Sequence, residues 1–197
     1  MIRYKQLNEV IGYKYSNLLL MTYCLLLIYM EFTNAAAFLN YYSKVKKRTK
    51  RLFPYIPPDK IEWTYQEGKF TVGDLIRHLA NSERYIYAET IQQKPSAYDG
   101  CSENYASGYD KVLQFYEDQY AASIKIIASL EPEDFFKKCK TPAGIDITIW
   151  KWLRLMVEHE IHHRGQLYVY LGLLGIKPPP IYGLTSEEVI ERSKIEY

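Results

Sequence analysis

Apolar side chains recur along most of this chain at intervals of three and four residues. Phe38, Tyr42, Val45 and Leu52 follow that spacing, with Thr49 on the same stripe, and predict one helix over about 33–53. Three prolines in PYIPPDKIEW (54–63) end it. Thr71 then offers an N-cap with Asp74 at the capping-box position, and Leu75, Leu79, Ser82 and Ile86 share one face of a second helix. KPSAYDGCSENYASG (94–108) reads as a loop from its Pro, Gly, Ser and Asn content. A third helix is predicted over about 109–129, with Val112, Phe115, Tyr116, Tyr120 and Ile124 inward. EPEDFFKKCKTPAGIDI is a connector with room for a short hairpin or extended stretch. A fourth helix covers about 148–174, closed by Gly175 and the prolines at 178–180. TSEEVIERSKI adds a last turn or two of helix. With no internal repeat and no strand-rich region, four long amphipathic helices imply an all-α four-helix bundle.

The N-terminus breaks the pattern. LLLMTYCLLLIYM (18–30) is nearly all apolar, yet shorter than the roughly 20 residues a bilayer requires. Arg3, Lys5 and Lys14 precede it and an A-x-A follows at 35–37, which is a signal-peptide layout. Cleavage there would trim the first predicted helix. Three readings stay open: an extra helix or sequence upstream of a start near Met30, a signal peptide or membrane anchor, and a helix of the main core. The expected organisation is an extension at 1–32, a bundle at 33–190 and a tail at 191–197.

Composition narrows the class. At 197 residues the chain is long enough to bury a core without staples. Its formal net charge of +2 calls for neither a nucleic acid nor an acidic substrate. The basic run Lys44, Lys46, Lys47, Arg48, Lys50 and Arg51 is expected to be a solvated helix face. Cys24, Cys101 and Cys139 are odd in number and form no C-x-x-C pair, which argues against a disulfide framework or a thiolate zinc site and for a cytoplasmic setting. Membrane association or export through 18–30 is the alternative.

The chemistry concentrates in VEHEIHHRGQ (157–166), which holds three of the four histidines. His159 and His163 are four apart, so on a helix their Cβ atoms sit about 6 Å apart on one face. Two imidazoles so placed can reach one metal ion at about 2.1 Å each. Two ligands hold a metal weakly. The remaining histidine, His78, can supply a third if the second and fourth helices are neighbours. HEIHH also matches H-E-x-x-H, with Glu160 as general base and Glu187 or Glu188 as a third ligand, the pattern of a metalloprotease. The chain offers no clear strand to hold a peptide, so that reading is the minor one.

FTVGDLIRHLANSERYIY together with HEIHHRGQLYVYLGLLGIKPP resembles the DinB-like family, also called YfiT-like metalloenzymes. The resemblance rests on His78 early in the second helix, Glu83 after it, and His159-x-x-x-His163-Arg164-Gly165-Gln166 in the last, and it covers about 33–190. It implies an up-down-down-up bundle holding one divalent metal on His78, His159 and His163. Zinc and nickel suit imidazole best, with manganese and iron also open. It further implies an enzyme whose metal activates a water or a thiol, of hydrolase or thiol S-transferase type, acting on a small molecule such as a low-molecular-weight thiol. The contrasting class is a non-catalytic helical module with a structural metal or none. Glu160 and Gln166 are the nearest catalytic candidates in sequence, and Glu83, His162 and Arg164 are expected around the ligands. Arg164 is expected to pair with a buried acid such as Glu83, Gly165 to admit a close helix, and Asp74 to cap its helix. No nucleic acid is expected as a partner, and a homodimer is compatible with a bundle of this size.

Overall fold

The computed structural model describes residues 32–194, and the apolar segment 18–30 lies outside them. Four long helices follow in order: α1 (Ala35–Lys50), α2 (Val72–Asn81), α3 (Tyr109–Ala128) and α4 (Ile149–Leu173). A short α5 (Ser186–Ser193) comes last. Each of α1 and α2 packs against both α3 and α4. The predicted bundle is therefore present, and the expected adjacency of α2 and α4 holds.

Local signals explain most boundaries. Asn34 caps α1 by accepting from the Ala37 amide at 2.8 Å. Thr71 and Asp74 form the anticipated capping box, each side chain accepting the other's backbone N–H at 2.9–3.0 Å. At the end of α4, Gly175 takes φ +76° and the Ile176 amide reaches back to the Leu171 carbonyl, a Schellman closure that only a residue without a Cβ adopts cheaply. The connector before α4 does contain a hairpin: β1 (Lys138–Lys140) pairs antiparallel with β2 (Asp146–Thr148), placing Cys139 opposite Ile147.

One departure from simple helical period matters for the site. After Asn81 the helix widens into a π-helical turn, Ser82–Ala88. The wider winding turns Glu83 and Tyr87 inward, whereas Ile86, expected on the core face, is only partly buried.

Apolar burial is divided in two. One cluster gathers Phe38, Tyr42, Val45, Trp152, Leu153 and Met156 near the hairpin. The other gathers Leu52, Leu75, Ile76, Val112, Tyr116 and Leu167. A layer of buried charge links them. Lys46, 1% exposed, reaches Glu83 Oε2 at 2.7 Å and Glu160 Oε2 at 3.4 Å. Tyr42 of the first cluster donates to Glu83 at 2.7 Å, and Tyr116 of the second donates to Glu160 at 2.8 Å. The ammonium also lies 3.6 Å from the centre of the Tyr116 ring. This corrects the expectation that the whole basic run is a solvated face. Lys46 follows Tyr42 by four and precedes Thr49 by three, so it lies on the core stripe, and two carboxylates supply the charge that lets it stay there.

Candidate metal centre

His78 leaves the last turn of α2 rather than its start, and His159 and His163 leave α4 one turn apart. The structure brings these three together. One ring nitrogen from each lies within 4.8 Å of the others. His159 Nε2 sits 3.1 Å from His78 Nε2 and 3.0 Å from His163 Nε2. An imidazole Nε2 has one in-plane valence, so His159 cannot form two good hydrogen bonds from that atom. Nitrogens at that spacing suit a shared cation at about 2.1 Å from each. The donor set therefore fits a divalent metal.

Two of the three rings have a hydrogen-bond partner at the outer nitrogen. His163 Nδ1 lies 2.5 Å from Gln166 Oε1, which can only accept, so Nδ1 carries the proton and Nε2 keeps its lone pair. His78 Nδ1 lies 2.7 Å from the Tyr98 hydroxyl and 3.4 Å from Ser82 Oγ. Burial also keeps the imidazoles neutral. Desolvation, then the neighbouring His163, lowers His78 to about 4. Desolvation, then His163 and His78, lowers His159 to about 3. His163 is lowered as well, again chiefly by desolvation, with the bond to Gln166 opposing.

The other expected residues fall in different places. Gln166 touches a ligand histidine, as described. Glu160 belongs to the buried layer, one oxygen accepting from Tyr116 and the other from Lys46. Glu83 is also in that layer, and burial raises its pKa against the opposing pull of Lys46. Arg164 does not pair with Glu83. It donates to the Val45 carbonyl and the Tyr182 hydroxyl, at 3.4 and 3.3 Å, while Lys46 and Tyr42 both bond Glu83 Oε2. His162 is exposed, packing edge-on against His163 at 4.8 Å, and is not among the three converging rings. Gly165 admits no neighbouring helix: a Cβ there would meet nothing within 4 Å. The tight glycine is Gly73, where a Cβ would fall 2.8 Å from Glu62 Oε1 and 3.0 Å from the Ile61 carbonyl. Asp74 caps α2 and also pairs with Arg77 at 2.8 Å. Glu188 caps α5, where Thr185 and Glu188 form a capping box.

Two contributors were not legible in the sequence. Tyr98 lies in a stretch that reads only as loop, and its contact with His78 spans 20 residues. Arg77, wholly buried, was hidden as an ordinary helix cation. It spends all five N–H bonds: Nε on the Cys101 carbonyl, Nη1 on Glu62 and the Ala106 carbonyl, Nη2 on Glu62 and Asp74.

Two clefts are lined by residues that contact the ligand histidines, though not by those histidines themselves. One of about 630 Å³ lies between 93–98 and the hairpin turn, lined by Ile86, Lys94, Tyr98, Lys140 and Thr141, and meets the cluster through Tyr98. Another of about 520 Å³ is lined by Tyr65, His162, Gln166, Val169, Tyr170 and Leu173. No helix among the described residues is long and apolar enough to cross a membrane.

A helical bundle with three histidines converging from two of its helices defines the class. The chain belongs to the DinB family, whose sequence profile matches residues 30–193. It is 24% identical over 137 residues to the Bacillus subtilis (strain 168) protein YjoA, described as uncharacterized, covering 68% of this chain and 86% of that one. The crystal structure of YjoA is similar with a TM-score of 0.60 and 20% identity, covering 74% of this chain and 96% of that one. A DinB-like protein from Bacillus cereus ATCC 10987 is similar with a TM-score of 0.64 and 16% identity, covering 76% of this chain and 98% of that one. At these identities the two structures speak to the fold alone.

Proposed function

We propose that this protein is a metal-dependent enzyme that binds one divalent ion on His78, His159 and His163. The observation that carries the reading is the convergence of three Nε2 atoms at 3.0–3.1 Å steps. Gln166 holds His163 in its metal-binding tautomer, and the depressed basicity of His78 and His159 keeps protons from competing. Zinc or nickel suits the all-imidazole set best; manganese and iron remain open. A metal so held would lower the pKa of a bound water or thiol and supply a nucleophile at neutral pH.

Three protein ligands favour catalysis over a purely structural ion, because a structural zinc site is normally closed by four. His162, the obvious fourth, stays outside the cluster. The chain's own residues then divide the remaining work. Gln166 and Tyr98 orient the ligand rings, and the tyrosine-bearing clefts beside them offer room for a small molecule. Glu160 is a poor general base while Tyr116 and Lys46 hold both its oxygens, which weighs against the H-E-x-x-H protease reading. Hydrolysis and thiol transfer to a small substrate are the reaction classes to screen, in a cytoplasmic setting and with a homodimer to be tested by sedimentation.

Elemental analysis of untagged protein, beside His78→Ala, tests the proposal. About one zinc or nickel per chain, lost in the variant, supports it. Absence of metal after reconstitution overturns it, in favour of a metal-free helical binding module.

A further inference from the structure

We infer that Tyr98 is a positioning residue of the metal centre, and that the 97–106 segment carrying it is coupled to metal occupancy. The inference rests on the metal reading above. It starts from the hydroxyl of Tyr98, 2.7 Å from His78 Nδ1. A ligand imidazole donates its outer N–H to a fixed acceptor, which sets both ring rotation and tautomer. His163 has Gln166 for this, one turn away on its own helix. The nearest residue along the same helical run, Ser82 at the start of the π-helical turn, has its Oγ 3.4 Å away. The acceptor comes from a separate stretch of chain.

That stretch is anchored beside the ligand. Arg77, the residue before His78, donates to the carbonyls of Cys101 and Ala106, both at 2.9 Å. Asn81, three residues after His78, donates to the Gly100 carbonyl at 2.7 Å. Glu62 and Asp74 fill the rest of the guanidinium, so Arg77 cannot swing away without leaving buried charge unpaired. Thus α2 holds the segment at three carbonyls, and the segment returns one hydroxyl to the α2 ligand. Whatever favours the correct pose of His78 favours the seated segment, and the converse follows by reciprocity. Tyr98 also lines the 630 Å³ cleft, so a molecule bound there meets the same hydroxyl.

The test uses full-length protein and Tyr98→Phe, which keeps the ring and removes the acceptor. Tyr105→Phe, on the same segment but packed against Phe115, is the control. Zinc affinity is read by competition with a chromophoric chelator, cobalt(II) by its visible ligand-field bands, and the segment by amide exchange with and without zinc. Expected are a loss of zinc affinity of about tenfold or more in Tyr98→Phe, altered cobalt bands, and zinc-induced protection of 97–106 in the wild type that the variant lacks. The melting point of the metal-free variant should stay within about 3 °C of wild type. Unchanged affinity and bands in Tyr98→Phe, with normal metal uptake by the wild type, overturn the role of Tyr98 alone. A wild type that takes up no zinc or cobalt overturns the metal reading and this inference together.

Discussion

Lys46 and Glu83 form a 2.7 Å ion pair, with both side chains at most 2% exposed to solvent. The pair ties α1 to the π-helical turn, and through Glu160 it reaches the residue next to His159. Removing one member leaves the others charged in a low-dielectric core. Lys46→Met should therefore cost about 3–5 kcal/mol of stability in urea melts. Replacing the triad together, as Lys46→Met with Glu83→Gln and Glu160→Gln, should cost less than the single change, because no charge remains unpaired. A single-variant loss below about 1 kcal/mol would show that the layer is wet or rearranges.

His163→Ala should abolish stoichiometric metal binding while leaving most helicity. The bundle has two apolar clusters of its own, neither of which includes a histidine. Circular dichroism beside metal analysis checks this. Full metal occupancy in the variant would refute the ligand assignment.

Acid should weaken the metal-free protein through these same rings. His78 and His159 titrate near 4 and 3 when folded, against about 6.5 in an unfolded chain. Between those values the unfolded state binds more protons, so stability falls as pH falls. The contribution is fully present above about pH 6.5 and is lost as pH drops toward 4 and then 3. His159→Ala should flatten the slope of unfolding free energy against pH over this window. Protonation of His78 and His159, for the same reason, should take little from zinc affinity between pH 7.5 and 5.5, and a loss there of more than one proton's worth per metal would mean these two rings are more basic than their burial implies.

Gly73 and Gly165 should respond oppositely to alanine. At Gly73 the new methyl would press on the Ile61 carbonyl and on the Glu62–Arg77 pair, while the Gly73 amide already donates to Ile61 at 2.5 Å. Destabilisation of about 1–3 kcal/mol is expected. At Gly165 the methyl meets open space in mid-helix, so a gain of up to about 1 kcal/mol is expected. Thermal melts of the two variants decide it, and a destabilised Gly165→Ala would point to a contact formed only with a ligand or partner.

The sequence by itself determined the elements whose causes are local. Helical period, the Thr71–Asp74 box, the Gly175 closure and the i, i+4 spacing of His159 and His163 all depend on residues within a turn or two of one another. The family resemblance singled out His78, but only the packing of α2 against α4 set its Nε2 beside that of His159, 81 residues away. Tertiary structure alone decided the rest. Lys46 is buried because Glu83 and Glu160 arrive from two other elements to neutralise it. Arg164, expected beside Glu83, instead meets the Val45 carbonyl and Tyr182, contacts that bring residues 119 and 18 positions away to it. Tyr98 reaches His78 because Arg77 and Asn81 hold its segment by backbone carbonyls, which any residue type supplies and no side-chain pattern announces.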